Sequence, residues 1–397
     1  MMHKPAPTLN NALIWLFAIA SGLSVANIYY AQPLLDQIAL DFKVSTASIG
    51  LIITLTQIGY ASGLFFLVPL GDLISRHKLI MTQLCVSTLS LLTLALTSNY
   101  LLFLSAMILV GLLAVVVQIL IAFTATLASP SEAGRAIGKV TSGIVIGILL
   151  ARTIAGFLND LAGWRSVYLF SAGATFVMTL LLYKMLPDYS NKLRSTYPEL
   201  LKSTLDLFIA EPILRTRAII AAFIFATFAT LWTALVLPLS APPFSLPHSV
   251  IGLFGLAGLI GAIAAAKAGQ LADRGLQQHT TGISLVLLIL SWILMAYMDT
   301  SLWFLILGVI ILDFAVQAVH VTNQSLIFPL RPDAHGRLVA GYMIFYSIGS
   351  GIGSISSTAI YAWKGWIGVC MLGGAFSVMA LVFWALQLRM ERPKILN

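Results

Sequence analysis

Pro130-Ser131-Glu132-Ala133-Gly134-Arg135 returns 202 positions later as Pro332-Asp333-Ala334-His335-Gly336-Arg337, with the Gly and Arg in phase (336 − 134 = 202; 337 − 135 = 202). Trp164 maps onto Trp366 at the same offset, and Asp72 onto Asp273 at 201. Three landmarks in phase across half the chain mark an internal duplication. Both copies are strongly apolar. The 397 residues are 59% hydrophobic and 9% charged, against about 45–50% and roughly 25% in ordinary globular domains. A mean hydropathy of +0.97, spread along the whole length, excludes a polar-shelled soluble enzyme and a disordered chain. The net charge of +8 sits in short loops without an interleaved basic and aromatic stripe, so no nucleic-acid partner is expected.

A helix that crosses a bilayer needs about 20 mostly apolar residues. Charge, Pro and Asn clusters divide the chain into twelve such runs, near 12–34, 48–70, 79–98, 100–127, 137–159, 165–186, 218–240, 250–271, 280–298, 301–328, 338–362 and 366–388. Two divisions rest on tight turns at Ser98–Asn99 and Asp299–Ser301. Continuous rather than alternating hydrophobicity excludes a barrel. The expected fold is therefore an all-α polytopic membrane protein of twelve transmembrane helices in two six-helix pseudo-repeats. Its parts are a tail 1–11, a bundle 12–186, a linker 187–217, a bundle 218–388 and a tail 389–397. With both termini cytoplasmic, 18 of the 22 Lys and Arg fall on the inner side and 3 on the outer, the asymmetry that positive-inside retention produces. The first apolar run shows no small-residue cleavage site and is long enough to remain as a span. In the linker, Leu200, Leu201, Leu205, Phe208 and Ile209 recur at helical spacing, as in an amphipathic helix on the inner leaflet or one packed under the bundle. Cys85 and Cys370 lie far apart in apolar runs, which argues against a disulfide or a thiolate metal site.

Only Arg152 and Asp313 place formal charges deep in spans, with opposite signs and in opposite halves. Intramembrane charges cost about 2.5–3.5 kcal/mol on insertion scales and are functional candidates by default. Either they face a shared cavity and Asp313 changes protonation, or they form a permanent pair pinning the halves. In span ten, Asp313, Gln317, His320 and Gln324 fall at i, i+4, i+7 and i+11, one helical face, with Asn323 beside them. A buried carboxyl facing a cation is poised between desolvation, which favours its neutral form, and attraction, which favours its charged form. Asp313 is thus the first candidate proton carrier and His320 the second, with a helix-to-helix hydrogen bond as the histidine's alternative role. No second ligand lies at metal spacing. Span one offers Ser24, Asn27 and Tyr30, while Tyr29 reads as interfacial. Phe223, Phe225, Phe228 and Trp232 of span seven read as packing or lipid-facing. Small residues repeat every third position at Gly252, Gly255, Gly258 and Gly261, and every fourth at Gly143, Gly147, Ala151 and Ala155. Those spacings let helix backbones approach closely.

Gly269-Gln-Leu-Ala-Asp273-Arg274, followed by Gln277 and Gln278 where basic residues are usual, resembles the loop signature of the major facilitator superfamily. The first-half copy keeps Asp72, Arg76, His77 and Lys78 but has Val68 in place of the glycine. Span five is similar to that family's antiporter motif through Gly138, Gly147, Ala151, Ala155 and Gly156, with Arg152 where the motif has proline. Val115 stands where the family's span-four Arg would be, and Gln118 is retained.

The resemblance covers essentially the whole chain and points to the twelve-helix drug:proton antiporter and sugar-efflux branch. It implies the major facilitator fold and a secondary active transporter working by alternating access. The expected activity is proton-coupled efflux of a small organic solute or drug, with uptake or uncoupled exchange of a polar metabolite as the alternative. In such a protein spans one, four, seven and ten line the cavity, which implies lining roles for Asn27, Tyr30, Gln118, Arg152, Gln317, Asn323 and Gln324. Asp72, Arg76, Asp273 and Arg274 would form a cytoplasmic gate, and Gly143, Gly147, Gly156, Gly252, Gly255 and Gly258 a span-five to span-eight packing interface. The partners implied are solute, protons and the lipid bilayer of a bacterial inner membrane, for a monomer with no cofactor beyond the proton gradient. A phosphate-binding loop and converging catalytic groups are missing from the sequence, so an enzyme is not expected, nor, with short termini, a receptor.

Overall fold

A computed structural model describes residues 10–129, 132–187, 196–331 and 335–391. Among them every regular element is a helix. In hydrocarbon each backbone N–H and C=O must be satisfied within its own segment, which the long apolar runs achieve only as helices. Ten helical segments are long and apolar enough to cross a membrane. Spans one to seven are Asn11–Phe42, Leu51–Asp72, Arg76–Leu96, Tyr100–Leu127, Ala133–Ala162, Trp164–Met185 and Pro212–Ser240. Spans nine and ten are Gln277–Met295 and Leu302–Leu330. The tenth segment, Gly336–Met390, holds two spans, because Gly365 at φ +61° breaks it into eleven and twelve. Span eight is interrupted: His248–Leu253, a 3-10 turn Phe254–Ala257, then Gly258–Asp273. The arrangement is consistent with twelve spans. Large apolar side chains such as Leu101, Ile283 and Met371 remain exposed, as a bilayer requires.

Local sequence explains the boundaries. Asn10 and Asn99 cap spans one and four by accepting the backbone N–H of Leu13 (2.8 Å) and Leu102 (3.1 Å). Ser301 caps span ten by accepting Trp303 N–H. The tight turns at Ser98–Asn99 and Asp299–Ser301 thus hold. Span seven starts at Pro212 rather than 218, since proline suits the first helical position.

The duplication reappears in the backbone. Gly163 (φ +78°) and Gly365 (φ +61°) make left-handed turns before the paired tryptophans, at the same offset (365 − 163 = 202). Gly147 seats span five on span one at Gly22, and Gly349 seats span eleven on span seven at Ala222 (349 − 147 = 202). A Cβ on either would fall 2.3 Å or 2.0 Å from backbone oxygen, so each contact demands glycine. Pro130, Ser131 and Pro332–Ala334 lie outside the described residues. The linker helix, Tyr197–Ala210, starts on a Thr196–Glu199 capping box. It is packed against both halves: the Tyr197 hydroxyl donates to Phe66 O (2.9 Å), and Phe208 stacks on Phe345. Leu205 and Ile209 stay exposed.

Among the described residues the close contacts between the halves gather at one end. On the face opposite Asn11, Gly50 N–H donates to Thr358 Oγ1 (3.2 Å) and the Thr54 hydroxyl to Gly351 O (2.8 Å), joining spans two and eleven. Spans five and eight touch there too: the Thr153 hydroxyl donates to Gly252 O (3.1 Å). On the other face, which carries Arg76, Lys139, Arg215 and Arg337 and is called basic below, Gly134 and Gly138 of span five have open space where a Cβ would stand.

Candidate functional site

At the inner limit of the closed end lie the two deep charges. Arg152 is 3% exposed and Asp313 4%. Among the described residues they form no direct ion pair; Trp232 of span seven stands between them. The Arg152 guanidinium carbon lies 3.8 Å from the Trp232 ring centroid, while Trp232 Nε1 donates to Asp313 Oδ1 at 3.2 Å. Tyr29 and Phe228 add aromatic faces at 5.1 and 5.7 Å from that carbon. A desolvated cation–π contact is worth roughly 2 kcal/mol or more, which helps a guanidinium survive so deep. Arg152 Nε donates to Gln32 Oε1 (2.8 Å), whereas its Nη2 has no hydrogen-bond partner among the described residues. Gly255 and Gly258 make the room: a Cβ on Gly255 would press on Arg152 Cβ, and one on Gly258 would lie 3.7 Å from Asp313 Oδ2. The site therefore brings together a guanidinium, a carboxylate and an indole contacting both.

Of the two roles open to Trp232, packing and lipid-facing, the structure shows packing: it is 3% exposed and lies on Arg152. Tyr29 is buried, not interfacial; its hydroxyl lies 2.8 Å from that of Tyr346 in the other half. Asn27 and Tyr30 are turned into the first bundle, where both engage Ser171 of span six. Neither lines the space between the halves. Helix rotation decides this, because a span-one face that is polar can satisfy itself on span six.

Span ten splits its stripe. Gln317 lies against Gly261 of span eight, and Gln118 of span four is half-buried. His320 Nδ1 pairs with the Tyr342 hydroxyl (2.9 Å), and its Nε2 lies 3.3 Å from Gln324 Nε2. Asn323, fully buried, donates towards the Tyr342 hydroxyl (3.4 Å) and Arg217 O (3.5 Å) within the second bundle, and its Oδ1 meets no partner among the described residues.

Among the gate residues, Arg76 pairs with Asp72 (3.3 Å) and donates to Gly71 O, Ala122 O and Thr126 Oγ1. These bonds tie span three to span four within one half. Arg274 is exposed, and the Asp273 side chain lies outside the described residues. The glycines divide as well. Gly156, Gly252, Gly255 and Gly258 occupy the span-five to span-eight contact, but Gly143 and Gly147 pack on Ala18 and Gly22 of span one. A helix has several faces, and every fourth-residue spacing does not say which neighbour a face meets.

A second cluster, absent from the sequence reading, joins the halves at the closed end. His248, the first residue of span eight, places Nε2 2.9 and 3.0 Å from the Asp36 carboxylate oxygens. Its Nδ1 is 3.5 Å from Asp160 Oδ1. Asp160 also accepts the backbone N–H of His248 (3.1 Å) and Ser249 (2.7 Å). Burial disfavours the charged ring, while a carboxylate beside each ring nitrogen favours it.

The family model of the Major Facilitator Superfamily matches residues 14–328 and 268–397. The protein named "Putative uncharacterized transporter YgaY" of Escherichia coli (strain K12) is 46% identical over 383 residues, covering 96% of this chain and 97% of its own. A "Probable sugar efflux transporter" of Helicobacter pylori (strain ATCC 700392 / 26695) is 21% identical over 94% of this chain and 93% of its own. The crystal structure of a bacterial homologue of the human lysosomal transporter Spinster, inward-facing and unoccupied, superimposes with a TM-score of 0.77 at 15% identity, covering 98% of each chain. That family and fold are those of transporters rather than enzymes, and with the apolar helices they mark an integral membrane protein. The chain belongs to the Major Facilitator Superfamily.

Proposed function

We propose that the protein exports a small polar or anionic organic solute in exchange for protons, by alternating access across a bacterial inner membrane. The observation that carries this reading is the Arg152–Trp232–Asp313 chain, which spans the contact between halves at the closed end. Positive-inside retention makes the basic face cytoplasmic, so the halves part towards the cytoplasm and this is the cytoplasm-open form.

In that form Arg152 and a charged Asp313 attract one another across the closed end. A proton on Asp313 removes one partner of the attraction, and an anionic or hydrogen-bond-accepting solute at Arg152 Nη2 satisfies the other. Either event weakens the hold on this conformation, and the form carrying neither is kept from switching. An exchanger needs that rule, since only its loaded forms should cross. Efflux is further supported by the name of the Helicobacter relative.

The test is solute-induced proton movement in energised everted vesicles, read by dequenching of a pH-sensitive dye. A solute that triggers proton flux in the parent protein and none in Asp313→Asn supports the reading. Solute accumulation without proton movement would replace it with uncoupled exchange or uptake.

A further inference from the structure

We propose that His248, Asp36 and Asp160 form an external latch that holds the opposite face closed while His248 is protonated, making access to that face sensitive to external pH. The inference rests on the alternating-access reading but not on Asp313 being the proton carrier.

The geometry carries it. Asp36 and Asp160 belong to spans one and five of the first half, and His248 opens span eight of the second. Each ring nitrogen of His248 faces a different carboxylate, at 2.9 Å and 3.5 Å. A neutral imidazole has one N–H and one lone pair, so one carboxylate would face a lone pair. Only the imidazolium donates to both. The contact lies where the halves are most closely fitted, for a Cβ on Gly156 would fall 2.0 Å from His248 O. Separating spans five and eight there breaks the His248–Asp160 contact, and moving span eight from span one breaks the other.

Among the described residues no further titratable side chain faces the ring from the packed elements. The 3-10 turn Gln32–Leu34 and the helix Val236–Ser240 carry none, and Arg152 lies two turns deeper on span five. Because the two carboxylates favour the charged ring, the latch is closed while the ring holds both protons and is released as pH rises and one leaves. One proton bounds the response to about tenfold in the closed-to-open ratio per pH unit.

Spin labels at Lys43→Cys and Thr300→Cys, on the opposite face of either half, would report the separation in proteoliposomes with Cys85 and Cys370 replaced by alanine. As pH rises from 5 to 8 a longer distance should gain population in the parent protein. His248→Gln should abolish the pH response and His248→Lys, a permanent cation, should keep the short distance throughout. Asp36→Asn serves if His248→Gln does not fold, and should weaken the response. Asp313→Asn should raise the population of the longer distance at every pH but keep its increase with pH, which separates this latch from the coupling site. An unchanged pH response in His248→Gln or Asp36→Asn, or its loss in Asp313→Asn, overturns the proposal.

Discussion

Arg152 and Trp232 are bound face to cation, the guanidinium carbon 3.8 Å from the indole centroid, although they belong to different halves of the duplicated fold. The same indole donates its N–H to Asp313. One side chain thus feels the guanidinium and the carboxylate together.

Replacing Asp313 with asparagine keeps size and polarity but removes the titrating group. Proton-linked flux should vanish, while solute binding, measured by calorimetry on purified protein, stays within about tenfold, since a neutral hydrogen bond is worth roughly 0.5–1.5 kcal/mol. Coupled transport at the parent rate would remove Asp313 from the mechanism.

Trp232→Phe retains an aromatic face for Arg152 and loses the N–H to Asp313, whereas Trp232→Leu loses both. A hydrogen bond to a charged group is worth about 1.5–3 kcal/mol, so the phenylalanine variant should move the pH midpoint of coupled flux by roughly one to two units. Leucine should in addition cut the rate. Identical pH profiles for all three proteins would show that the indole only packs.

His320 is held by Tyr342 and Gln324 inside the second bundle. His320→Asn should lower thermal stability by about 1 kcal/mol and leave the proton-to-solute ratio intact. A changed ratio, measured as paired fluxes, would reinstate histidine as a carrier.

Three glycines of span five should separate gating from folding. A methyl at Gly156 collides with His248 O and one at Gly143 with Ala18 O, while Gly138 has open space. Overpacking costs typically about 1–3 kcal/mol. Gly156→Ala should raise reagent access to cysteines placed at the closed end, Gly143→Ala should lower the melting temperature without altering access, and Gly138→Ala should do neither.

Much of this architecture is local and therefore readable along the chain. Runs of apolar residues set the spans, Asn99 and Ser301 set the turns, and the 202-residue offset exposed the duplication that Gly163 and Gly365 repeat in the backbone. The cost of charge in hydrocarbon singled out Arg152 and Asp313 before any coordinates. Tertiary structure alone decided which faces meet: that Trp232 lies between the two charges, that Gly143 seats span one and Gly156 span eight, and that His248 finds two aspartates in the other half. The reason lies in the solvent. Lipid and protein core are both apolar, so hydropathy, which orients a helix in a soluble fold, leaves rotation undetermined here. Close backbone contacts and a few buried polar partners set it instead.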